Sequence, residues 1–407
     1  MRDNSQPTGY IRRSASPELR SGHTPAATHT AGNKIQMSRI HPARWQTVVQ
    51  LVDQYCESGQ VPAIALQVMT GETTCHYCQG RQHVEDDNGT LRDDAIFLVA
   101  SITKPIVVLG VLKLLEQGEL LLNDRVKQYI PEFGCAGKHG ITIRNLMTHT
   151  SGLPDMLPNN RELRSAQAPL SEFVRQICEL TPDEPPGRIV QYQSTGIAIL
   201  GELIQRITGK SAPQYLQDEL FQPLEMHDTA LGVPPAWSEG DAARLERIVE
   251  IHVPPELNVE PHWDWNSPYW RGFGAPWGGL FTTPTDLGKL VDMLQQQGLA
   301  LDQRLFSAQT IRQATRDQLP EIPGLSETAR QGKGWGLGWQ IVTRAKSDYY
   351  GDLLSDQAYG HGGATGTVLW IDPQLDAAAI ILTTEPQEPH GRYLARLSNA
   401  IVAAIEV

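Results

Sequence analysis

The chain contains 407 residues, of which 40% are apolar and 20% charged, the composition of a globular protein rather than of a disordered or coiled-coil chain. Its formal net charge of −12 disfavours nucleic acid or an anionic membrane as the main partner. The longest apolar segment, residues 106–115, is interrupted by Lys113 and is shorter than the roughly 18 residues that a membrane span requires.

Residues 1–40 are polar and rich in Ser, Thr, Pro and Gly, so they predict a disordered leader. Arg12 and Arg13 are typical of a twin-arginine export signal, but no apolar stretch follows them. We therefore expect a cytoplasmic protein whose five cysteines are reduced thiols. Cys75 and Cys78 form a single C-x-x-C pair, which favours a core strand over a metal or redox site.

The apolar periodicity predicts elements at both ends of the chain. In chain order these are a helix over 41–58, strands over 61–69, 73–79 and 95–100, and a helix that carries residues 106–115. Residues 120–280 read as short helices joined by loops rich in Pro and Gly.

The C-terminal part returns to strands after a helix that begins near Thr283, where Pro284 and Asp286 complete an N-terminal capping signal. Strands are predicted over 338–343, 365–371 and 377–383, and a closing helix over 392–405. Strands at both ends with a helical middle predict one sheet built from both termini. We expect an α/β domain of residues 41–118 and 281–407, which holds a helical domain of residues 119–280.

Ser101 and Lys104 are the first candidates for chemistry. Three residues apart on a helix, their side chains share one face, within reach of a hydrogen bond. Because Pro105 is tolerated only near a helix start, the helix is expected to begin at about Ser101. A desolvated lysine can remove the serine proton and make it a nucleophile. The spacing alone is weak, because so short a motif also arises by chance.

Tyr192-Gln193-Ser194 precedes a helix that carries Ile197, Leu200, Ile204 and Ile207 and ends at Gly209. A tyrosine at such a junction presents its phenol to a cleft, where a neighbouring ammonium would lower its pKa and make it a general base. The alternative is a tyrosine that packs against the core.

Gly360-His361-Gly362-Gly363-Ala364-Thr365-Gly366 is the third candidate segment. Its glycines allow the backbone to approach a ligand, and a backbone N–H there could contribute to an oxyanion hole. The alternative is a flexible turn with a solvated histidine.

Together these three segments resemble the serine β-lactamase and penicillin-recognising family. The match is to its class C branch, with the DD-peptidases, D-aminopeptidases and related carboxylesterases. Residues 97–104 resemble the Ser-x-x-Lys motif with its lead-in strand, residues 192–194 the Tyr-x-Asn motif, and residues 361–363 the Lys-Thr-Gly or His-x-Gly motif. Residues 146–153, 278–280 and 334–339 also fit, and the resemblance covers about residues 45–405.

This resemblance implies a fold and a set of roles. The fold would be α+β or α/β, an antiparallel sheet flanked by helices plus an all-α domain with a cleft between them. Ser101 would be the acylated nucleophile, with Lys104 and Tyr192 sharing the acid–base work. The backbone N–H groups of Ser101 and Ala364 would form the oxyanion hole. His361 would lie beside Tyr192 or contact substrate. Substrate-binding candidates are Ser194, Gly362, Gly363 and Trp277.

Two departures from the family pattern bear on the substrate. Ser194 replaces an asparagine and offers fewer donors, so amide substrates are less well served. His361 replaces a lysine and is mostly neutral at pH 7, which weakens anion capture. Both argue against an efficient β-lactamase, and an esterase or a peptidase acting on D-residues fits better. We expect a carboxylesterase that acts on a small ester without metal or organic cofactor. A peptidase acting on D-residues or a weak β-lactamase, with an amide or short D-peptide as substrate, is the alternative.

Other interpretations stay open at this point. His149 could be a catalytic base, although the family uses its segment structurally. Five aromatic residues could line a substrate pocket or pack the insertion: Trp263, Trp265, Tyr269, Trp270 and Trp277. An α/β-hydrolase is disfavoured because no serine lies in a Gly-x-Ser-x-Gly sequence. A non-catalytic protein of the same fold that binds peptidoglycan fragments or a partner protein is the alternative from another class.

Overall fold

The computed structural model describes residues 39–84, 86, 89–239, 242–253, 263–343, 349–386 and 392–406. The predicted leader lies outside these residues, apart from Arg39 and Ile40. Ile40 is buried and forms a β-bridge with Ile405, and the Arg39 guanidinium pairs with Asp376 at 2.7 Å. The folded part therefore includes the last two residues of the segment predicted as leader. Residues 38–407 form one compact unit.

The helices reproduce the predicted order. Their bounds are α1 Pro42–Glu57, α2 Thr103–Glu116, α3 Ile143–Met147, α4 Asn160–Ser165, α5 Leu170–Glu179, α6 Thr195–Thr208, α7 Ala212–Leu216, α8 Ala236–Glu239, α9 Ala242–Glu246, α10 Pro268–Phe273, α11 Pro284–Gln295, α12 Ala308–Thr315, α13 Glu327–Arg330 and α14 Arg392–Ala404. As the capping signal predicts, Thr283 caps α11 by accepting a hydrogen bond from the Asp286 amide. No helix in the described part of the chain is long and apolar enough to cross a membrane.

The strands form one large antiparallel sheet and two small ones. Their bounds are β1 Ala63–Thr70, β2 Thr73–Gly80, β3 Phe97–Leu98, β4 Ala230–Leu231, β5 Leu280–Thr282, β6 Leu299–Ala300, β7 Gln303–Arg304, β8 Gln340–Ile341, β9 Tyr359–Gly363, β10 Thr367–Asp372 and β11 Ala377–Thr383. The large sheet has the order β2-β1-β11-β10-β9-β8, so both chain ends supply its strands, as predicted. The small sheets are β3-β5-β4 and β6-β7.

The alternation of side chains along the strands divides the core into two layers. Ile381 and its alternate neighbours pack with α1 and α14, whereas Ile380 and Leu382 face α2 and α11 on the other side. This second layer is continuous from the sheet to helical residues such as Leu200, so the sheet and the helical segment share one core. The predicted division into two domains and the cytoplasmic location stay predictions.

Two strands are shorter than predicted. A third strand lies in the glycine-rich segment, for which a flexible turn was the alternative prediction. The 95–100 strand reduces to Phe97–Leu98 in a small sheet, because the backbone turns at Ala100, whose φ is +44°. The 338–343 strand reduces to Gln340–Ile341. Strand β9 lies in the glycine-rich segment, where a Cβ on Gly360 would meet the Leu369 carbonyl at 2.0 Å. Glycine therefore permits a close strand pairing that side-chain patterning does not reveal.

Cys75 and Cys78 lie on the edge strand β2, half-buried rather than in the core. Cys75 packs against the layer of α1 and α14, and Cys78 against the opposite layer, so the two thiols face away from each other across the sheet. They are therefore unsuited to bind one metal ion. All five cysteines are unpaired in the structure.

Replacing the buried Leu382 by alanine should lower the free energy of unfolding by about 2–5 kcal/mol, because it leaves a cavity in the central strand β11. Leu121, which is 66% exposed, provides the matched control. Leu121→Ala should change the free energy by less than about 0.5 kcal/mol. Urea denaturation followed by circular dichroism measures both variants, and equal losses would contradict this placement of the core.

Candidate active site

Ser101 lies at a tight turn between β3 and α2. The chain passes from β3 through Ala100, at φ +44°, into a short 3-10 helix of Ala100–Ile102. The Thr103 hydroxyl stabilises this turn by donating to the Ala100 carbonyl at 2.5 Å and accepting from the Leu280 amide at 3.1 Å. The helix thus begins close to Ser101, as Pro105 predicts.

Lys104 is buried beneath Ser101. Its Nζ lies 2.8 Å from Ser101 Oγ and 2.9 Å from the Trp277 carbonyl oxygen, and the residue is only 1% exposed. Burial lowers the pKa of Lys104 to about 7; the Asp155 carboxylate opposes this shift and the Arg164 guanidinium adds to it. At neutral pH much of the lysine is therefore an uncharged amine in contact with a serine hydroxyl.

Tyr192 completes the group of three, but in a protonation state different from that expected. Its phenol is hydrogen-bonded to Ser101, and its ring centroid lies 4.7 Å from Lys104 Nζ. Burial raises the pKa of Tyr192 far above its ordinary value. The expected lowering of this pKa by a neighbouring ammonium is wrong, because burial of the phenol outweighs the other contributions. Tyr192 is thus a neutral phenol that can donate and relay a proton.

His361 lies on β9 and stays neutral. Its ring centroid is 6.0 Å from that of Tyr192, so it lies beside the tyrosine as the resemblance implied. Nδ1 is 2.7 Å from the Gly362 carbonyl, which fixes the proton on Nδ1 and leaves Nε2 as an acceptor. Burial, with the neighbouring Lys104, lowers the pKa of His361 to about 3. This position therefore offers a hydrogen-bond acceptor where the family has a cation.

His149 supports the Tyr192 segment from below. Its Nδ1 accepts a hydrogen bond from the Gln193 amide at 3.2 Å, and its ring packs 4.9 Å from Tyr192 and 4.3 Å from Trp335. Burial lowers the pKa of His149 well below its ordinary value. The residue is thus a neutral support for the extended segment that carries Tyr192.

The turn between β9 and β10 is attached to the strand that leads to Ser101. The Thr365 hydroxyl donates to the Leu98 carbonyl at 2.7 Å, and the Thr367 hydroxyl to the Val99 carbonyl at 3.0 Å. A Cβ on Gly363 would meet the Val99 oxygen at 2.3 Å, so only glycine permits this approach. These contacts hold Ala364 next to Ser101. Neither threonine is predicted from the sequence, because each is a small polar residue with no motif spacing of its own.

Ser101, Tyr192 and His361 line one cleft of about 390 Å³. Its described lining comprises Ser101, Val190, Tyr192, Gly332, Lys333, Gly334, Trp335, Gln340, Ile341, Thr343, Tyr349, His361, Gly362, Gly363 and Ala364. Ser194 and Trp277, two of the predicted substrate-binding residues, instead line a separate narrow pocket with apolar neighbours such as Phe173. Most of the predicted site residues therefore share the cleft, whereas Ser194 and Trp277 line the neighbouring pocket and the Trp277 carbonyl contacts Lys104.

The five aromatic residues mainly pack the helical segment. Trp263 and Trp270 enclose the guanidinium of the buried Arg164, at 4.7 and 4.5 Å from their ring centroids. The Tyr269 hydroxyl donates to a backbone carbonyl at 2.8 Å, and Trp277 packs against Phe173. Among the five, Trp277 alone contacts the catalytic group, through its carbonyl oxygen.

Comparison with known proteins assigns the chain to a family. Residues 48–403 match the model of the Beta-lactamase family, so the chain belongs to it and is a serine hydrolase. Penicillin-binding protein 4 of Amycolatopsis lactamdurans is 28% identical over 353 residues, which cover 84% of each chain. An Escherichia coli O157:H7 protein provisionally named D-alanyl-D-alanine carboxypeptidase is 27% identical, covering 76% of this chain and 72% of the relative.

A solved family VIII carboxylesterase has a similar fold, with a TM-score of 0.69 and 20% identity. The similarity covers 88% of this chain and 98% of the carboxylesterase.

The rate of ester hydrolysis should rise with pH and reach a plateau above a midpoint near 7. Below the midpoint kcat/KM should fall about tenfold per pH unit, because protonated Lys104 cannot accept the serine proton. The pKa of His361 is lowered to about 3 and that of Tyr192 is raised, so neither adds a step between pH 5 and 9. A pH–rate profile with a neutral ester measures this, and a flat profile or a midpoint above 9 would contradict it.

Proposed function

We propose that the protein is a carboxylesterase that hydrolyses a small ester through a covalent intermediate on Ser101. The observation that carries this proposal is the 2.8 Å contact between Ser101 Oγ and the Nζ of a buried lysine whose pKa is lowered to about 7. A neutral amine at this distance can remove the hydroxyl proton as the serine attacks the ester carbonyl.

The remaining steps follow from the neighbouring groups. The backbone N–H groups of Ser101 and Ala364 would hold the negative oxygen of the tetrahedral intermediate. The proton taken by Lys104 would pass through the Tyr192 phenol to the departing alkoxide, which leaves as the alcohol. Water would then attack the Ser101 ester and give a proton to Lys104. As the bond from the acyl carbon to Ser101 Oγ breaks, Lys104 would return this proton to Oγ, which releases the carboxylic acid and regenerates the serine.

Two features favour an ester over an amide as substrate. Ser194 replaces the usual asparagine, and it lies in the neighbouring pocket rather than among the residues that line the cleft. The cleft therefore lacks, among its described residues, an amide side chain at that position to bind an acylamide. An alcohol also leaves with less help from a proton donor than an amine does. The carboxylesterase of similar fold is consistent with this choice.

A D-stereospecific peptidase or weak β-lactamase is the second candidate. It is favoured by the names of the two relatives, a penicillin-binding protein and a provisional D-alanyl-D-alanine carboxypeptidase. The same group of Ser101, Lys104 and Tyr192 would open an amide by the same steps, with an amine as leaving group.

A substrate panel separates these candidates. Purified protein is assayed with p-nitrophenyl butyrate, nitrocefin and D-alanyl-p-nitroanilide, and a fluorophosphonate probe reports on Ser101. An esterase should turn over the butyrate ester at least about a hundredfold faster, by kcat/KM, than the two amides. Faster turnover of either amide would favour the peptidase or β-lactamase. A wild-type protein that neither hydrolyses these compounds nor is labelled would instead be a non-catalytic binding protein.

Variants of the catalytic group test the roles assigned to it. Ser101→Ala should abolish both turnover and labelling, while Lys104→Ala and Tyr192→Phe should each lower kcat by about 10²–10⁴-fold. The double variant should have a kcat only slightly below that of the less active single variant, because the two residues act as a unit. Circular dichroism and thermal unfolding confirm folding of each variant. Ester hydrolysis that persists in folded Ser101→Ala would overturn the proposal.

A further inference from the structure

The wall of the catalytic cleft contains a lysine to which neither motif nor comparison assigns a role. Lys333 precedes the Gly334–Trp335 part of the lining, and its Nζ donates to the Val190 carbonyl at 2.9 Å. This single contact attaches the ammonium to the segment that leads to Tyr192. Among the residues that the structure describes, this ammonium has no carboxylate partner within ion-pair distance, and Lys333 is exposed.

The Lys333 ammonium differs in charge from the other side chains of the cleft. None of the described residues that line the cleft is acidic, and Lys333 is their only lysine or arginine. His361, which replaces the family's cation, offers a neutral acceptor, and Tyr192 is a neutral phenol. Lys104 lies beneath the surface, with its Nζ directed at Ser101 and the Trp277 carbonyl. An anionic group bound in this cleft would therefore form its ion pair with Lys333.

The position of Lys333 also indicates which part of a substrate it would meet. In the proposed function Tyr192 passes the proton to the leaving group, so the leaving group lies over the Tyr192 segment. Val190, which holds the Lys333 ammonium, is two residues before Tyr192 in that same extended segment. Lys333 therefore lies on the leaving-group side of Ser101.

We propose that Lys333 is a specificity-determining residue that selects substrates whose leaving group bears a carboxylate. Such substrates are esters of hydroxy acids, or amides whose departing amine belongs to an amino acid. This inference rests on the proposed function of Ser101 and names the substrate class of that site. It also places the anion on the Gly332–Trp335 loop rather than on β9.

A matched pair of esters tests this proposal. In 3-carboxyphenyl butanoate and 3-carbamoylphenyl butanoate the leaving groups have the same shape and differ in charge. The wild-type protein should prefer the carboxylate ester by about fivefold in kcat/KM, the size expected for a partly solvated ion pair. The preference should shrink when the ionic strength is raised from 0.05 to 0.5 M, because salt screens exposed charges.

Lys333→Met should abolish this preference, measured as the ratio of kcat/KM for the two esters, whereas Lys333→Arg should retain it. Lys113→Met is the control, because the Lys113 ammonium also donates to a backbone carbonyl, that of Leu305, but lies outside the cleft lining. It should keep the wild-type preference. Thermal unfolding of each variant separates a loss of charge from a loss of folding.

Three results would overturn the inference: equal rates for the two esters in the wild type, a preference that persists in Lys333→Met, or a charge preference confined to the acyl side. The acyl side is tested with mono-p-nitrophenyl adipate against p-nitrophenyl hexanoate. Hydrolysis of all four esters without charge preference would refute the role of Lys333 alone. Failure of the wild type to hydrolyse any of them would refute the proposed function itself.

Discussion

The site depends on keeping a lysine amine out of water while it touches a serine hydroxyl. Lys104 is 1% exposed, and among the described residues its Nζ is hydrogen-bonded to two oxygen atoms, Ser101 Oγ and the Trp277 carbonyl. Neither partner carries a negative charge, so no ion pair offsets the free energy lost when the ammonium is removed from water. The proton is therefore held weakly, and the amine becomes a base at the pH at which the protein would work.

Three separate parts of the chain converge on this contact. The turn at Ala100 presents Ser101, the segment supported by His149 presents Tyr192, and β9 presents His361. Their titratable side chains are all neutral near pH 7, because burial raises the pKa of the tyrosine and lowers those of both histidines. The low-dielectric setting that neutralises Lys104 thus neutralises its neighbours as well. Among the described residues that line the cleft, Lys333 is the one that carries a charge.

Much of this arrangement could be predicted from the sequence. Apolar periodicity located α1, α11, α14 and the strands β1, β10 and β11, since each buries a regular face. The motif residues Ser101, Lys104, Tyr192 and His361 were identified, because short spacing on one element or a family resemblance brings them together.

The features that the sequence does not predict depend on packing between distant parts of the chain. The direction of the Tyr192 pKa shift depends on how completely three distant segments exclude water, and no local pattern encodes that. Strand β9 is not predicted by side-chain patterning, because its glycines permit close backbone approach and carry no side chains to bury. Lys333 looks like an ordinary surface lysine until the fold places its loop beside Val190. Ser194 fits a motif position, yet its side chain belongs to the adjacent pocket.

The central claim is tested most directly by measuring the ionisation of Lys104 itself. Protein labelled with ¹³C at lysine Cε is titrated by NMR from pH 5 to 11, and the Lys104 resonance is assigned by its absence in Lys104→Met. The account predicts one lysine that titrates near pH 7, well below the ordinary value of about 10.4. A Lys104 resonance that titrates with the other lysines, near pH 10, would contradict it.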